Sequence, residues 1–368
     1  MTKAATLAQM GNTNQTFRNR IINGAMVIDQ RNAGASQSLS NGSGTYTLDR
    51  YRIFYDATSA VLTSQQVAPP STAPAGFTYS QKITVSTAGS ISSGTNCTYM
   101  QFIEGYNIAD LGWGTTSPKS VTLSFWVYSS ITGTFSVSFG DNSSVSYVTT
   151  YSISSANTWT QITLTVSGPT TGSWNTTNGT GLNLRWDLGC GSTVTTSTTN
   201  AWGSGTYYKA TGSTSLITNS GATFYITGVQ LEAGTTATPF EYRLYGTELA
   251  LCQRYYEKSF AQGSAPSEGL DNSFQTGGVG YANNGLYIPN VTFKVVKRTT
   301  ATVTPYRGAV AGTNGNFSVY ASSTGAWNVA TTTINTANDT CFGANLTSNI
   351  TANNGYAIIG NWTASAEL

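Results

Sequence analysis

The stretch VTLSFWVYSS, residues 121–130, decides the fold. Val121, Leu123, Phe125 and Val127 fall on one side of an extended chain, and Thr122, Ser124, Trp126 and Tyr128 on the other. A period of two with a single apolar face marks a strand of an antiparallel sheet laid over a core. The alternation recurs in TFSVSFG (134–140), through Phe135, Val137 and Phe139. WTQITLTVSG (159–168) turns Ile162, Leu164 and Val166 inward and Gln161, Thr163 and Thr165 outward. In LNLRWDLG (182–189), Leu182, Leu184, Trp186 and Leu188 point inward, leaving Asn183, Arg185 and Asp187 for solvent. FYITGVQLEAG (224–234) breaks phase: Phe224 and Ile226 share one face, Val229 and Leu231 the other. A β-bulge at Thr227-Gly228 restores the register.

Composition agrees with an all-β chain. Of 368 residues only 9% are charged while 12% are aromatic, with 21 Tyr and 8 Trp. A disordered chain would lack those rings. Thr, Val, Ile, Tyr, Phe and Trp suit a pleated surface, and Gly, Asn and Ser supply turns. The length exceeds the roughly 250–300 residues at which one core stops growing, so two domains are expected.

Histidine is absent, which excludes Ser-His-Asp and Cys-His hydrolases and His-ligated metal sites. Cys97, Cys190, Cys252 and Cys341 share no metal-ligand spacing and read as buried free thiols. Net charge is +2 with no basic stripe, so nucleic acid is not an expected partner. No secretory signal opens the chain and no run of 18 apolar residues occurs, so membrane insertion is not expected either.

Downstream, PFEYRLYGTELALCQRYYEK (239–258) changes period: Leu249, Cys252 and Tyr256, joined by Leu251 and Tyr255, make an apolar helical face. Thr247 is the expected N-cap of a helix of about 10 residues, with Glu248 complementing the dipole. AQGSAPSEGLDNSFQTGG (261–278) reads as a linker or long loop. NVTFKVVKR, TATVTPY, NFSVYAS, AWNVATTTI and GYAIIGNWTAS follow as short strands of a smaller sandwich. Upstream, NGAMVIDQRNAG (23–34) reads as the first strand and YTLDRY (46–51) as the second. The expected organisation is a lead-in over 1–24, a jelly-roll over 25–240, a helical connector over 241–260 and a small β-sandwich over 261–368. Arg20, Asp29, Arg31, Asp49 and Arg50 are the structural or assembly candidates, pairing across a sheet edge or between subunits.

VTLSFWVYSS, TWTQITLTV and FYITGVQLE resemble three strands of the jelly-roll carbohydrate-binding modules of the galactose-binding-like class. Thr227-Gly228 stands where those modules carry an acidic pair, so no metal and no cofactor is carried over. A wider set resembles phage tail-fibre and minor virion structural proteins: RNRIINGAMVIDQRNAG, YTLDRY, IEGYNIADLGWGT, KSVTLSFWVYSS, FYITGVQLEAGTTATPFEYR and GTELALCQRYYEK. These six stand in the same order over about residues 18–258.

That resemblance implies a virion appendage protein, synthesised in the host cytoplasm and probing a host-surface glycan. A homotrimer in contact with other tail or capsid proteins is the expected assembly. Sugar stacks on aromatic rings while its hydroxyls meet polar groups. The ligand-binding candidates are therefore the loop-borne Trp113, Trp174, Trp202, Tyr207 and Tyr208, together with Trp126 on the polar face of its strand. Two other readings stand beside this one. A purely structural adaptor, head fibre or decoration subunit would bury these rings against neighbours. A depolymerase would need two opposed carboxyls from among Glu104, Asp110, Asp141 and Asp187, yet no repeat builds the β-helix groove such spikes use, and no catalytic residue is assigned.

Overall fold

The computed structural model describes residues 17–56, 58–141, 144–270, 273–308 and 310–368. The chain is all-β, with one α-helix, Tyr245–Gln253, among the described residues. A large jelly-roll sandwich comes first. Its six-stranded sheet runs in the order Gln37–Ser38, Val61–Val67, Ser80–Thr87, Thr223–Ala233, Val121–Ser129, Thr160–Val166. The seven-stranded sheet opposite runs Trp202–Ser204, Val145–Ile153, Gly133–Gly140, Thr180–Asp187, Asn96–Glu104, Tyr51–Asp56, Ser43–Leu48. Because the chain crosses repeatedly between the layers, both inner faces contribute to one core. Leu123, Phe125, Val127, Phe135, Phe139, Trp186 and Phe224 meet there, all fully buried. Trp186 packs edge-on to Phe125 at 5.6 Å. Each such side chain contributes roughly 1.5–3 kcal/mol on leaving water.

In the small sandwich, the long strand Gly355–Ser365 pairs with Tyr256–Lys258, Phe274–Val279, Thr302–Arg307 and Phe317–Ala321. A three-stranded sheet, Leu286–Thr292, Cys341–Leu346, Thr332–Ala337, closes a second core around Phe317, Phe342, Ile358 and Trp362. Ile22, Ile28, Cys252 and Tyr255 form a third apolar cluster between the sandwiches.

The bulge lies where the broken phase put it. Pairing with Val121–Ser129 shifts between Thr227 and Gln230, Gly228 has φ 62°, and Phe224, Ile226, Val229 and Leu231 are all buried.

Other expectations are corrected. Residues 25–34 are turns and irregular chain, not a strand: Asn23, Met26 and Ala33 have positive φ, and the Asn23 side chain bonds both Ile28 N and Ile28 O. YTLDRY is not one strand but a tight turn joining Ser43–Leu48 to Tyr51–Asp56, with Arg50 at φ 69°. Of the expected lead-in, residues 1–16 lie outside the described residues. Residues 18–24 belong to the large sandwich: Ile21 is in its core and Arg20 N donates to Leu231 O.

The helix starts two residues before Thr247, with Leu244 at the N-cap and no side-chain cap. Glu248 instead accepts the backbone N–H of Asn23 and faces Arg243 at 3.5 Å, tying the helix to the opening turns. The end of the expected linker, from residue 274 on, is part of the strand Phe274–Val279, which pairs with Gly355–Ser365. NVTFKVVKR is strand only to Thr292, and AWNVATTTI is divided between Ala326–Ala330 and Thr332–Ala337. Asn183, Arg185 and Asp187 are buried, because segment 188–217 folds back over the outer face of their sheet. Cys97, Cys190 and Cys252 are buried free thiols, and Cys341 is half-buried.

Candidate functional site

The arginines and aspartates of the opening stretch go to two different places. Arg20 makes a bidentate pair with Asp110, at 2.6 and 2.8 Å, and donates to Asn107 O. Arg31 and Arg50 both bind Glu367, across the junction of the two sandwiches. Their guanidinium groups lie over Tyr256 at 3.8 Å and Tyr255 at 3.5 Å. The aspartates hold backbone instead of arginine. Asp29 accepts Asn32 N and Gly34 N; Asp49 accepts Gln30 N at 2.6 Å and Gln30 Nε2 at 2.7 Å. Burial raises the Asp49 pKa to about 6.

Three of the candidate rings converge, Trp113 and Trp174 from loops and Trp202, expected on a loop, from the edge strand Trp202–Ser204, opposite Tyr147. Trp113 and Trp174 meet edge-on at 4.8 Å, Trp113 and Trp202 at 5.5 Å, Trp174 and Trp202 at 5.4 Å. Each indole N–H is donated within the protein, to Lys119 O, Thr171 O and Ser167 O respectively. Trp113 is buried. The trio pins loops at one end of the large sandwich, and its donors are occupied. The Tyr207 ring lies against Gly205, while Tyr208 stacks under Arg185 at 4.2 Å. The cavity they share with Ser138 and Asn183 measures about 10 Å³, the size of one water and far too small for a sugar ring.

Trp126 has a different setting. It lies half-buried on the outer face of the six-stranded sheet, opposite Gln161 and Thr227. Two residues on, Tyr128 stands opposite Tyr225, which in turn stands opposite Lys82. Tyr128 and Tyr225 meet edge-on at 5.3 Å, Trp159 packs on Tyr128 at 5.5 Å, and Lys82 Nζ lies 5.8 Å from the Tyr225 ring. All are half-buried.

The rest of this face is roofed. Segment 234–242 covers Gln230 and Glu232 through Thr238 and Glu241, and Phe77 of segment 68–79 crowds Gly228 beside Trp126. Trp159 Nε1 donates to Pro70 O, fixing the ring at the end of the row. What stays open is a strip of aromatic rings with Lys82 at one side and the exposed Gln161 and Thr163 at the other. Spanning the strands from Ser80–Thr87 to Thr160–Val166, it is roughly 15 Å wide. Of this strip Trp126 alone is among the ligand-binding candidates named from the sequence. The same alternation had put Tyr128 beside it, but Tyr225 and Trp159 enter only through the strand order.

The four acidic candidates are each engaged by partners. Glu104 holds Arg254 at 2.6 and 2.9 Å and accepts the Tyr255 hydroxyl. Asp110 takes Arg20, and Asp141 accepts Ser144 N and Val145 N. Asp187 accepts Gly189 N and Cys190 N and sits 3.8 Å from Lys209 Nζ. Among the described residues no group of three or more His, Cys, Asp or Glu could hold a metal ion, and no helix is long and apolar enough to cross a membrane.

No family model and no curated relative matches the chain. Among solved structures it is similar to the enzymatically active domain of bacteriophage CBA120 tailspike protein 4. That match has 14% identity and a TM-score of 0.29, over 59% of this chain and 22% of the tailspike chain. It is similar also to a CBM4 structure, at 15% identity and a TM-score of 0.28, over 58% of this chain and 98% of that one. A family 11 carbohydrate-binding module from Clostridium thermocellum, in complex with a mixed-linked tetrasaccharide, matches at 10% identity. Its TM-score is 0.26, over 55% of this chain and 98% of the module.

Proposed function

We propose that this chain is a non-catalytic, glycan-binding subunit of a virion appendage, and that the strip Trp126, Tyr128, Trp159, Tyr225 contacts the host-surface glycan. The observation that carries the reading is the open row of half-buried rings, one pair in direct cross-strand register, on a face otherwise roofed by the protein's own loops. Rings offer apolar faces to pyranose C–H groups, while Gln161, Thr163 and Lys82 offer donors and acceptors to hydroxyls. The resemblance of the motifs between residues 18 and 258 to phage tail-fibre proteins supports the virion setting, in the tail or another appendage. A homotrimer in contact with other virion proteins belongs to the same proposal.

The test is a glycan array on the full chain, followed by calorimetric titration of the best ligand. Y128A/Y225A is expected to weaken binding at least tenfold with the chain still folded, its melting temperature lowered by the lost ring packing, whereas W174A leaves affinity as it was. Equal affinity for Y128A/Y225A and the parent chain would overturn the assignment of the strip.

A second reading, a structural adaptor, head-fibre or decoration subunit without receptor activity, is favoured by one specific feature. Phe17, Tyr242 and Leu244 line one surface cleft and are exposed by 59, 55 and 81%, with Tyr245 next in sequence exposed by 55%, the kind of patch that packs against a neighbouring subunit. Uniform silence on the array together with tight incorporation into particles would select it.

A further inference from the structure

We infer that the small sandwich carries a second saccharide site, on the outer face of its three-stranded sheet, selective for neutral sugars. The inner face of that sheet is core: Leu286, Ile288, Phe342, Ala344 and Leu346 are buried. Its outer face carries Tyr287, Asn345 and Thr333 in one cross-strand row. Two bulges flank Gly343, between Ile288 and Val291 on one side and between Ile334 and Thr336 on the other. Bulges re-aim side chains. Here they turn Asn290 and Asn335 over Gly343 from both sides, so that a methyl on Gly343 would meet their Oδ1 atoms at 2.9 and 3.5 Å. Asn345 Oδ1 is buried and has no hydrogen-bond partner among the described residues.

Beside these amides stands a pair of tyrosines. Tyr281 and Tyr287 are parallel, 4.7 Å apart and 12° from coplanar, yet exposed by 54 and 57%. The Tyr281 ring lies against Gly285, where a Cβ would meet its Cζ at 2.6 Å. The turn thus holds Tyr281 as a backing plate and presents the Tyr287 ring to solvent.

An exposed ring beside three amides and a threonine hydroxyl is the chemistry that takes a pyranose: C–H groups on the ring, hydroxyls on groups that both donate and accept. Charge sets the class. No charged residue occurs between Asp271 and Lys294, and Asp339 is the only one from 326 to 356. None of the three strands carries a Lys or Arg, so a carboxylated or phosphorylated sugar would find no cation on these strands to offset its desolvation.

This site stands apart from the strip on the large sandwich, so the two can fail separately. Used together, two weak sites on one chain raise avidity by effective concentration.

Saturation-transfer NMR on the full chain, with a panel of neutral glucan, mannan and galactan hexasaccharides at millimolar concentration, tests the site in the Y128A/Y225A background. Transfer to at least one oligosaccharide is expected to persist there. It should drop at least fivefold on adding Y287A, and again on adding N290A/N335A to the Y128A/Y225A background. The melting temperature should be unchanged in each case, since these side chains are exposed. Transfer that is absent in the Y128A/Y225A background, or that survives Y287A, would overturn the second site while leaving the first intact. A change in sedimentation coefficient on Y287A would overturn it as well, by making the tyrosine pair a contact between copies.

Discussion

Asp187 shows how one residue's setting becomes a measurable property of the protein. Its carboxylate is fully buried, with two backbone amides and Lys209 at 3.8 Å, and burial still wins: the pKa is raised to about 6 from an ordinary 3.8. The sign of the consequence is fixed. Between about pH 4 and pH 6 the native state holds more protons here than the unfolded state. This group's penalty is therefore fully present above pH 6, relieved as pH falls through 6, and gone near 4. Its size is on the order of 1–3 kcal/mol. Asn at this position keeps an acceptor for Gly189 N and Cys190 N but does not titrate. Urea midpoints for the parent chain and D187N should therefore converge or cross as pH is lowered from 7.5 to 5, the parent gaining relative to the variant. A constant difference across that range would mean the carboxyl ionises with an ordinary pKa. The alternation of LNLRWDLG had sent Asp187 and Arg185 to solvent. Periodicity identifies which side of a strand a residue faces, but not whether a loop 20 residues downstream covers that side.

At the scale of elements the legible and the illegible divide along the same line. Strands with a single apolar face, 121–129, 133–140, 160–166 and 180–187, announce themselves because burial on one face demands period two. The bulge at Gly228 was legible too, since an odd residue in an alternating run has no other remedy. Residues 25–34 mimic a strand because Ala25 and Val27 alternate by accident in a segment whose course is set by Asn23 and Asp29 bonding to backbone. The ring strip was half legible: Trp126 and Tyr128 share a strand face, whereas pairing with Tyr225 needs the strand order.

The bulge gives this scale its prediction. Gly228 has φ 62°, and a Cβ there would meet Phe77 Cζ at 2.7 Å and Trp126 Cδ1 at 3.0 Å. G228A should lose about 2–4 kcal/mol in chemical unfolding, from left-handed strain plus overpacking. G221A, equally left-handed but with open space at its Cβ, should lose only about 1–2 kcal/mol. Equal losses at both positions would mean that the ring contacts around the bulge add nothing.

The molecule as a whole is two sandwiches joined by buried charge. Glu104 holds Arg254 and the Tyr255 hydroxyl; Gln30 bridges Asp49 to Tyr256 O; Glu367 sits between Arg31 and Arg50 with its side chain 7% exposed. Such a pair adds little to stability over an apolar substitute, but removing one partner leaves the other charge buried and unanswered. Glu367 answers two arginines at once, one of them 1% exposed. E367Q should therefore cost about 3–5 kcal/mol at the junction alone. The parent chain is expected to unfold in one calorimetric transition because docking couples the two cores. With Gln at 367 the small sandwich should melt first, as a separate peak at lower temperature, while binding at the Tyr128–Tyr225 strip persists below that peak. A single unshifted transition in E367Q would mean that the apolar contacts of Ile22, Ile28, Cys252 and Tyr255 hold the sandwiches together without the charges.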